Sequence, residues 1–147
     1  MSSERDVHRV YLGLGSNLGN SRQNLEQAIR LIAERVGPVL RQSSFIETEP
    51  WGFESANRFL NAVILCQTQQ TPRKVLLTTQ QIERDMGKTK AHATRRRQRT
   101  TYFDRPIDID ILLYDDLQVD EPDLKIPHPL MSQRDFVMIP LKEITDT

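Results

Sequence analysis

The stretch RPIDIDILLYDD, Arg105 to Asp116, decides how the rest of the chain is read. Successive side chains of a strand point to opposite faces, so Ile107, Ile109 and Ile111 turn one way and Asp108 and Asp110 the other. By the strand rise the two aspartate Cα atoms lie roughly 7 Å apart. Like charges so placed repel, and a cation between them is the natural relief.

Just upstream, the segment from Lys88 to Arg105 carries Lys88, Lys90, Arg95, Arg96, Arg97, Arg99 and Arg105 against a single acid, Asp104. It has no period and is long for a connection inside a domain, which marks a functional loop. Residues 88–104 are expected to be a mobile basic loop feeding directly into the acidic strand. Before it, TPRKVLLTTQQIERDMG predicts a helix with Thr71 as N-cap, Pro72 at the first position and Gly87 as the stop. Val75, Leu76, Thr79, Ile82 and Met86 share its apolar face.

Further back, FLNAVILCQTQ is rich in apolar and β-branched residues and reads as a central strand. VLRQSSFIETEP is expected to be extended up to Pro50, with WGFESANR a loop between the two. RVYLGLGSN alternates Val10, Leu12 and Leu14 on one face and stops at Gly15. A helix follows, with Leu25, Ala28, Ile29, Ile32 and Val36 at helical spacing, Asn20 or Ser21 as cap and Gly37-Pro38 as terminator. Beyond the acidic strand, a turn at Asp115-Asp116 leads to a short strand, LQV, and HPLMSQRDFVMIPLKEI holds a final helix. The order β-α-β-β-α-β predicts an α+β, ferredoxin-like sheet with its helices on one face, and short strands and a helix added after the fourth strand.

At 147 residues the chain fits one domain spanning 1–147, with residues 1–8 expected to be a disordered lead-in. No apolar run approaches the roughly eighteen residues needed to span a bilayer, and MSSERDVHRV lacks a signal peptide's apolar stretch, so a cytoplasmic protein is expected. Its single cysteine, Cys66, excludes an internal disulfide and cysteine-based metal sites. Basic and acidic residues balance at 20 each, so no global field recruits nucleic acid or membrane. No obligate protein partner is inferred.

Two phosphate motifs are tempting and fail. Gly87-Lys88-Thr89 resembles the end of a P-loop, yet Ile82 stands where the first glycine belongs and a helix, not a strand, precedes it. GLGSNLGN has Leu18 where a dinucleotide fingerprint needs glycine. What survives is the pairing of opposites. Mg²⁺ takes carboxylate oxygens together with phosphate oxygens and waters, so Asp108 and Asp110 suffice as protein ligands when a polyphosphate supplies the rest. Two such ions about 3.5–4 Å apart suit phosphoryl transfer. Alternating aspartates also occur on solvated strand faces, and basic runs also grip nucleic acid. A ferredoxin-like RNA-binding module is the competing reading, opposed by the aspartate pair and by the lack of that module's aromatic signature.

DRPIDIDILLY, IPHPLMSQRDFVMIPL, TEPWGF…RFLNAV and YLGLGSNLGN together resemble the 6-hydroxymethyl-7,8-dihydropterin pyrophosphokinase family of folate biosynthesis, in order from Tyr11 to about Ile144. The resemblance implies transfer of the β,γ-diphosphate of ATP to the pterin hydroxymethyl oxygen, leaving AMP, with two Mg²⁺ ions. It places both metals on Asp108 and Asp110, makes Asp108 a proton acceptor near the attacking hydroxyl, and gives Arg105 an ATP phosphate. His128 and Arg134 would contact the triphosphate, and Gln80, Glu83, Lys88, Lys90, Ile111 and Lys125 would lie about the nucleotide. The pterin would stack between Phe59 and Phe136, with Asn61 reading its edge and Thr48, Trp51 and Tyr102 completing the pocket. Lys88, Lys90 and Tyr102 fall where that family's loop often has two arginines and a tryptophan, so bidentate phosphate contacts are lost at 88 and 90. Judged locally, Glu83 reads as a helix-surface charge, and Phe59 and Phe136 as core.

Overall fold

The computed structural model describes residues 7–48, 59–87 and 106–145. Among these the chain forms β1 (His8–Ser16), α1 (Ser21–Arg35), β2 (Val39–Gln42), β3 (Ile46–Thr48), β4 (Phe59–Thr68), α2 (Pro72–Asp85), β5 (Asp108–Tyr114), β6 (Val119–Glu121), β7 (Leu124–Ile126) and α3 (Asp135–Thr145). The main sheet runs β2-β4-β1-β5, with β3 pairing the other half of β4 and each pairing antiparallel. Counting β2 and β3 as one interrupted strand, this is the strand order of the ferredoxin-like fold that the sequence predicts. The interruption has a local cause: Ser43 is buried, its N–H donates to the Val63 carbonyl and its hydroxyl accepts the Val63 N–H, both at 2.9 Å. A side-chain oxygen there replaces a ladder carbonyl, and the edge bends.

Helix boundaries follow the capping residues. Asn20 accepts the Gln23 N–H, and Thr71 accepts the Lys74 N–H ahead of Pro72. Each side chain satisfies a donor that the first turn leaves without a partner, worth about 1 kcal/mol. At the end of α1 the chain passes so close to β4 that a Cβ on Gly37 would lie 1.8 Å from the Gln67 carbonyl oxygen; only glycine fits.

The alternation in β1 divides the protein into two layers. Val10, Leu12 and Leu14 join Leu25, Ala28 and Ile32 of α1, Val75 and Ile82 of α2, and Ile107, Ile109 and Ile111 in one core. Helices α1 and α2 share one face as expected, and the added helix, α3, takes a position that the sequence left open: its Val137, Leu141 and Ile144 pack on the opposite face against Val63, Leu65 and Leu112. Its reason is visible in β4, which is apolar on both sides and needs cover on both. The far end of α3 is tied to the sheet edge: Arg41 donates to the Ile144 carbonyl, and the N–H and hydroxyl of Ser44 donate to the Glu143 carboxylate.

The hairpin strand expected at LQV starts two residues later, at Val119. Asp115 adopts φ +48 and the Leu117 N–H donates back to the Tyr114 carbonyl, so the turn uses up Leu117 and Gln118. Arg73 of α2 pairs with both Glu121 and Asp123, fastening the hairpin to the helix.

Candidate active site

The acidic side chains of β5 emerge on the α3 side of the sheet, as the alternation predicts, while Ile107, Ile109 and Ile111 are buried on the other. Register brings a row of residues together there. Asn61 of β4 faces Gly15 of β1, which faces Asp108 of β5; one step along, Val63 faces Gly13, which faces Asp110. The two glycines leave the middle of this face without side chains. A methyl group on Gly15 would lie 3.1 Å from Asn61 Oδ1 and 3.5 Å from the Phe59 ring, so glycine makes room for both of those side chains. Asn61 is 4% exposed, and its Nδ2 donates to Thr48 Oγ1 at 2.8 Å. That bond fixes the amide orientation.

Beyond Asp110 the ladder slips: Leu12 faces Ile111 and Tyr11 faces Leu113, so Leu112 is an extra residue, a β-bulge. Its side chain packs on the α3 side, and its carbonyl accepts the His128 N–H at 3.0 Å. The bulge thus carries the chain after β7 back to the aspartates, and His128 Nε2 lies 3.9 Å from Asp110 Oδ2. Burial pushes the His128 pKa below its usual 6.5, against the pull of the Asp108 charge. Its Nδ1 accepts the Leu130 N–H at 3.3 Å, which leaves the proton of the neutral ring on Nε2, toward the acidic face.

Arg134 completes the cluster. Its guanidinium is 3% exposed and Nη1 lies 4.0 Å from Asp110 Oδ2. Burial lowers its pKa, yet a guanidinium is so strong a base that it keeps its charge. Burying a cation costs several kcal/mol unless an opposite charge offsets it, and a carboxylate stands within reach. Phe136, half-buried at the start of α3, takes the Arg134 guanidinium over its ring at 5.6 Å from the centroid. Phe59, Asn61, Thr48, Asp108, Asp110, His128, Arg134 and Phe136 are therefore gathered about the α3 side of the sheet.

Other expected site residues fall elsewhere. Ile111 has its side chain in the core beneath α1 and α2, because alternation puts it opposite Asp110, so a nucleotide could meet only its backbone. Lys125 is exposed on the hairpin, where its ammonium donates to Asp120 at 2.5 Å. Gln80 is half-buried on α2, the helix on the other layer. Glu83 is not a surface charge: it is 6% exposed, and its Oε2 accepts the Ile109 N–H at 2.8 Å. Trp51, Lys88, Lys90, Tyr102 and Arg105 lie outside the described residues. The roles of Gly13, Gly15 and the Leu112 bulge were missed by sequence reasoning, although the Gly-x-Gly spacing on one strand face was a usable signal for the first two.

Donor chemistry tests the metal expectation. Among the described residues no group of three or more His, Cys, Asp or Glu side chains is placed to hold a metal ion by itself. Two carboxylates beside a cationic guanidinium fit a hard cation that takes its remaining oxygens from a polyphosphate and water. They would not make a closed zinc site.

Comparison with known proteins bears on the same residues. The family model described as 7,8-dihydro-6-hydroxymethylpterin-pyrophosphokinase (HPPK) matches residues 11–146. The chain belongs to this family. It is 48% identical to a 2-amino-4-hydroxy-6-hydroxymethyldihydropteridine pyrophosphokinase of Porphyromonas gingivalis, over 92% of this chain and 89% of the relative. An Aquifex aeolicus protein of the same name is 38% identical, over 92% and 79%. Among solved structures, a Plasmodium falciparum HPPK-DHPS crystal structure superposes with a TM-score of 0.73 over 94% of this chain at 16% identity, which supports the fold alone. The chain spans 42% of that longer protein. No helix among the described residues is long and apolar enough to cross a membrane.

Proposed function

We propose that the protein transfers the β,γ-diphosphate of ATP to the hydroxymethyl group of 6-hydroxymethyl-7,8-dihydropterin, releasing AMP, in folate biosynthesis. The observation that carries this reading is the convergence of Asp108 and Asp110 with His128 and Arg134 on one sheet face, in a chain of the HPPK family.

In the reaction, the pterin hydroxyl oxygen forms a bond to the β-phosphorus as the bond from that phosphorus to the α,β-bridging oxygen breaks, and AMP leaves with the bridging oxygen. Asp108 accepts the hydroxyl proton. Little covalent work falls to the protein, so catalysis is positioning and neutralisation of charge. Arg134 offers a planar fork of donors to phosphate oxygens, and it is already desolvated, so its field acts at low effective dielectric. His128, neutral with its proton on Nε2, donates a hydrogen bond without needing a charge. Two Mg²⁺ ions held by Asp108 and Asp110 would neutralise the diphosphate as Lewis acids. Phe59 and Phe136 stack on the flat pterin, and Asn61, its amide oriented by Thr48, reads the ring's donor and acceptor edge.

AMP release from ATP, followed with and without the hydroxymethyl pterin, tests the proposal. Pterin-dependent AMP formation that stops on chelation of divalent ions is expected. Release of ADP, or AMP formation indifferent to pterin, would remove it.

A further inference from the structure

Glu83 lies in the last turn of α2, buried, on the layer opposite the proposed chemistry, and is bound to β5 through the Ile109 amide. Ile109 stands between Asp108 and Asp110. Along an antiparallel strand the N–H groups of alternate residues point to opposite sides. An Ile109 N–H donated to α2 therefore points off the side of β5 away from β1, β5 being the last strand of the sheet among the described residues, while those of Asp108 and Asp110 face Gly15 and Gly13 of β1. The buried carboxylate supplies, at this one peptide, the acceptor that a further strand would supply. A charge-assisted bond of 2.8 Å is a strong anchor, and it grips the backbone between the two acidic side chains.

We propose that Glu83 is a positioning residue: by anchoring the Ile109 amide it sets the direction in which Asp108 and Asp110 leave β5, and so the geometry in which they hold a divalent cation. Glu83 acts through the strand, without touching the nucleotide. The inference rests on reading Asp108 and Asp110 as the metal-binding pair.

Three variants of the full chain test it. E83Q keeps an oxygen acceptor, E83L removes it at similar volume, and E83D draws it back by one methylene. The readouts are kcat, KM for ATP, Mn²⁺ affinity in the presence of a nonhydrolysable ATP analogue by electron paramagnetic resonance, and exchange of the Ile109 amide by NMR. In E83L, Mn²⁺ affinity and kcat are expected to fall about tenfold or more, the usual effect of removing a group that orients a metal ligand. Ile109 exchange should accelerate, KM for ATP should hold, and E83Q should restore most of each loss. An E83L that only melts earlier, with Mn²⁺ affinity and kcat intact, overturns the proposal. So does an equal rise in KM for ATP in E83L and E83Q with Ile109 exchange unchanged, which would assign Glu83 to the nucleotide. If E83L does not fold, E83D gives the same comparison. Asp108→Ala and Asp110→Ala, run alongside, separate the two levels: undiminished Mn²⁺ affinity there refutes the metal reading itself, whereas its loss there with E83L and E83D unaffected refutes only the role of Glu83.

Discussion

Gly15 and Asn61 face each other across β1 and β4 with so little space that a methyl group on the glycine would stand 3.1 Å from the amide oxygen. The neighbour would have to give by a few tenths of an ångström, and Asn61 is held by Thr48 on its other side. Gly15→Ala should therefore turn the amide out of register for the pterin. A rise of about tenfold in the pterin KM, with KM for ATP unchanged and stability lower by about 1 kcal/mol, is the expected outcome in steady-state kinetics and thermal melts. Equal effects on both substrates would separate Asn61 from the pterin.

Asp108→Ala and Asp110→Ala should each lower kcat by about a thousandfold or more, as the loss of metal-assisted charge stabilisation does. Both side chains are only half-buried, so the circular dichroism spectrum and melting temperature should stay near those of the parent. Full turnover in either variant would contradict the site assignment.

Phe136→Ala should weaken pterin binding by about tenfold and nucleotide binding less, since a stacked ring contributes about 0.5–1.5 kcal/mol beyond its buried area. Calorimetric titration of each ligand separately reads the difference. Equal losses would place Phe136 in the packing of α3 alone, where it adjoins the second core.

Cys66 yields a prediction about pH. Burial raises its thiol pKa to about 12, from 9.0 for an exposed thiol. Because the folded form holds its proton more tightly, the contribution is fully present below pH 9 and is lost as pH rises towards 12. Cys66→Ala should flatten the alkaline fall of the melting temperature over that window. In the parent, alkylation by iodoacetamide near pH 8 should proceed only at the rate of unfolding; fast labelling of the folded protein would refute the burial argument.

Where local chemistry determines structure, the sequence was legible. Asn20, Thr71 and Pro72 start their helices where capping rules place them, and the alternation of Ile and Asp in β5 assigns both faces correctly. The candidate site residues on β4 and β5 rest on family resemblance, and the fold brings them to one face of the sheet. What stayed hidden depends on contacts distant in the chain. Nothing near Glu83 announces that Ile109, 26 positions later, will need its carboxylate. A bulge such as that at Leu112 reflects pairing with β1, and α3 settles on the second face because β4 leaves apolar surface there. Ile111 shows what a likeness leaves open: it carries over a position, whereas alternation decides which way the side chain points, here into the core.

Parity along β1 has a consequence for how such a protein tolerates change. Val10, Leu12 and Leu14 belong to the core under α1 and α2, while Gly13 and Gly15 underlie the acidic side. Drift at Val10, Leu12 and Leu14 is expected to register as altered heat resistance alone, drift at Gly13 and Gly15 as altered substrate binding as well. Laboratory evolution could thus harden one layer without retuning the other, with Glu83 as the place where the two inheritances meet.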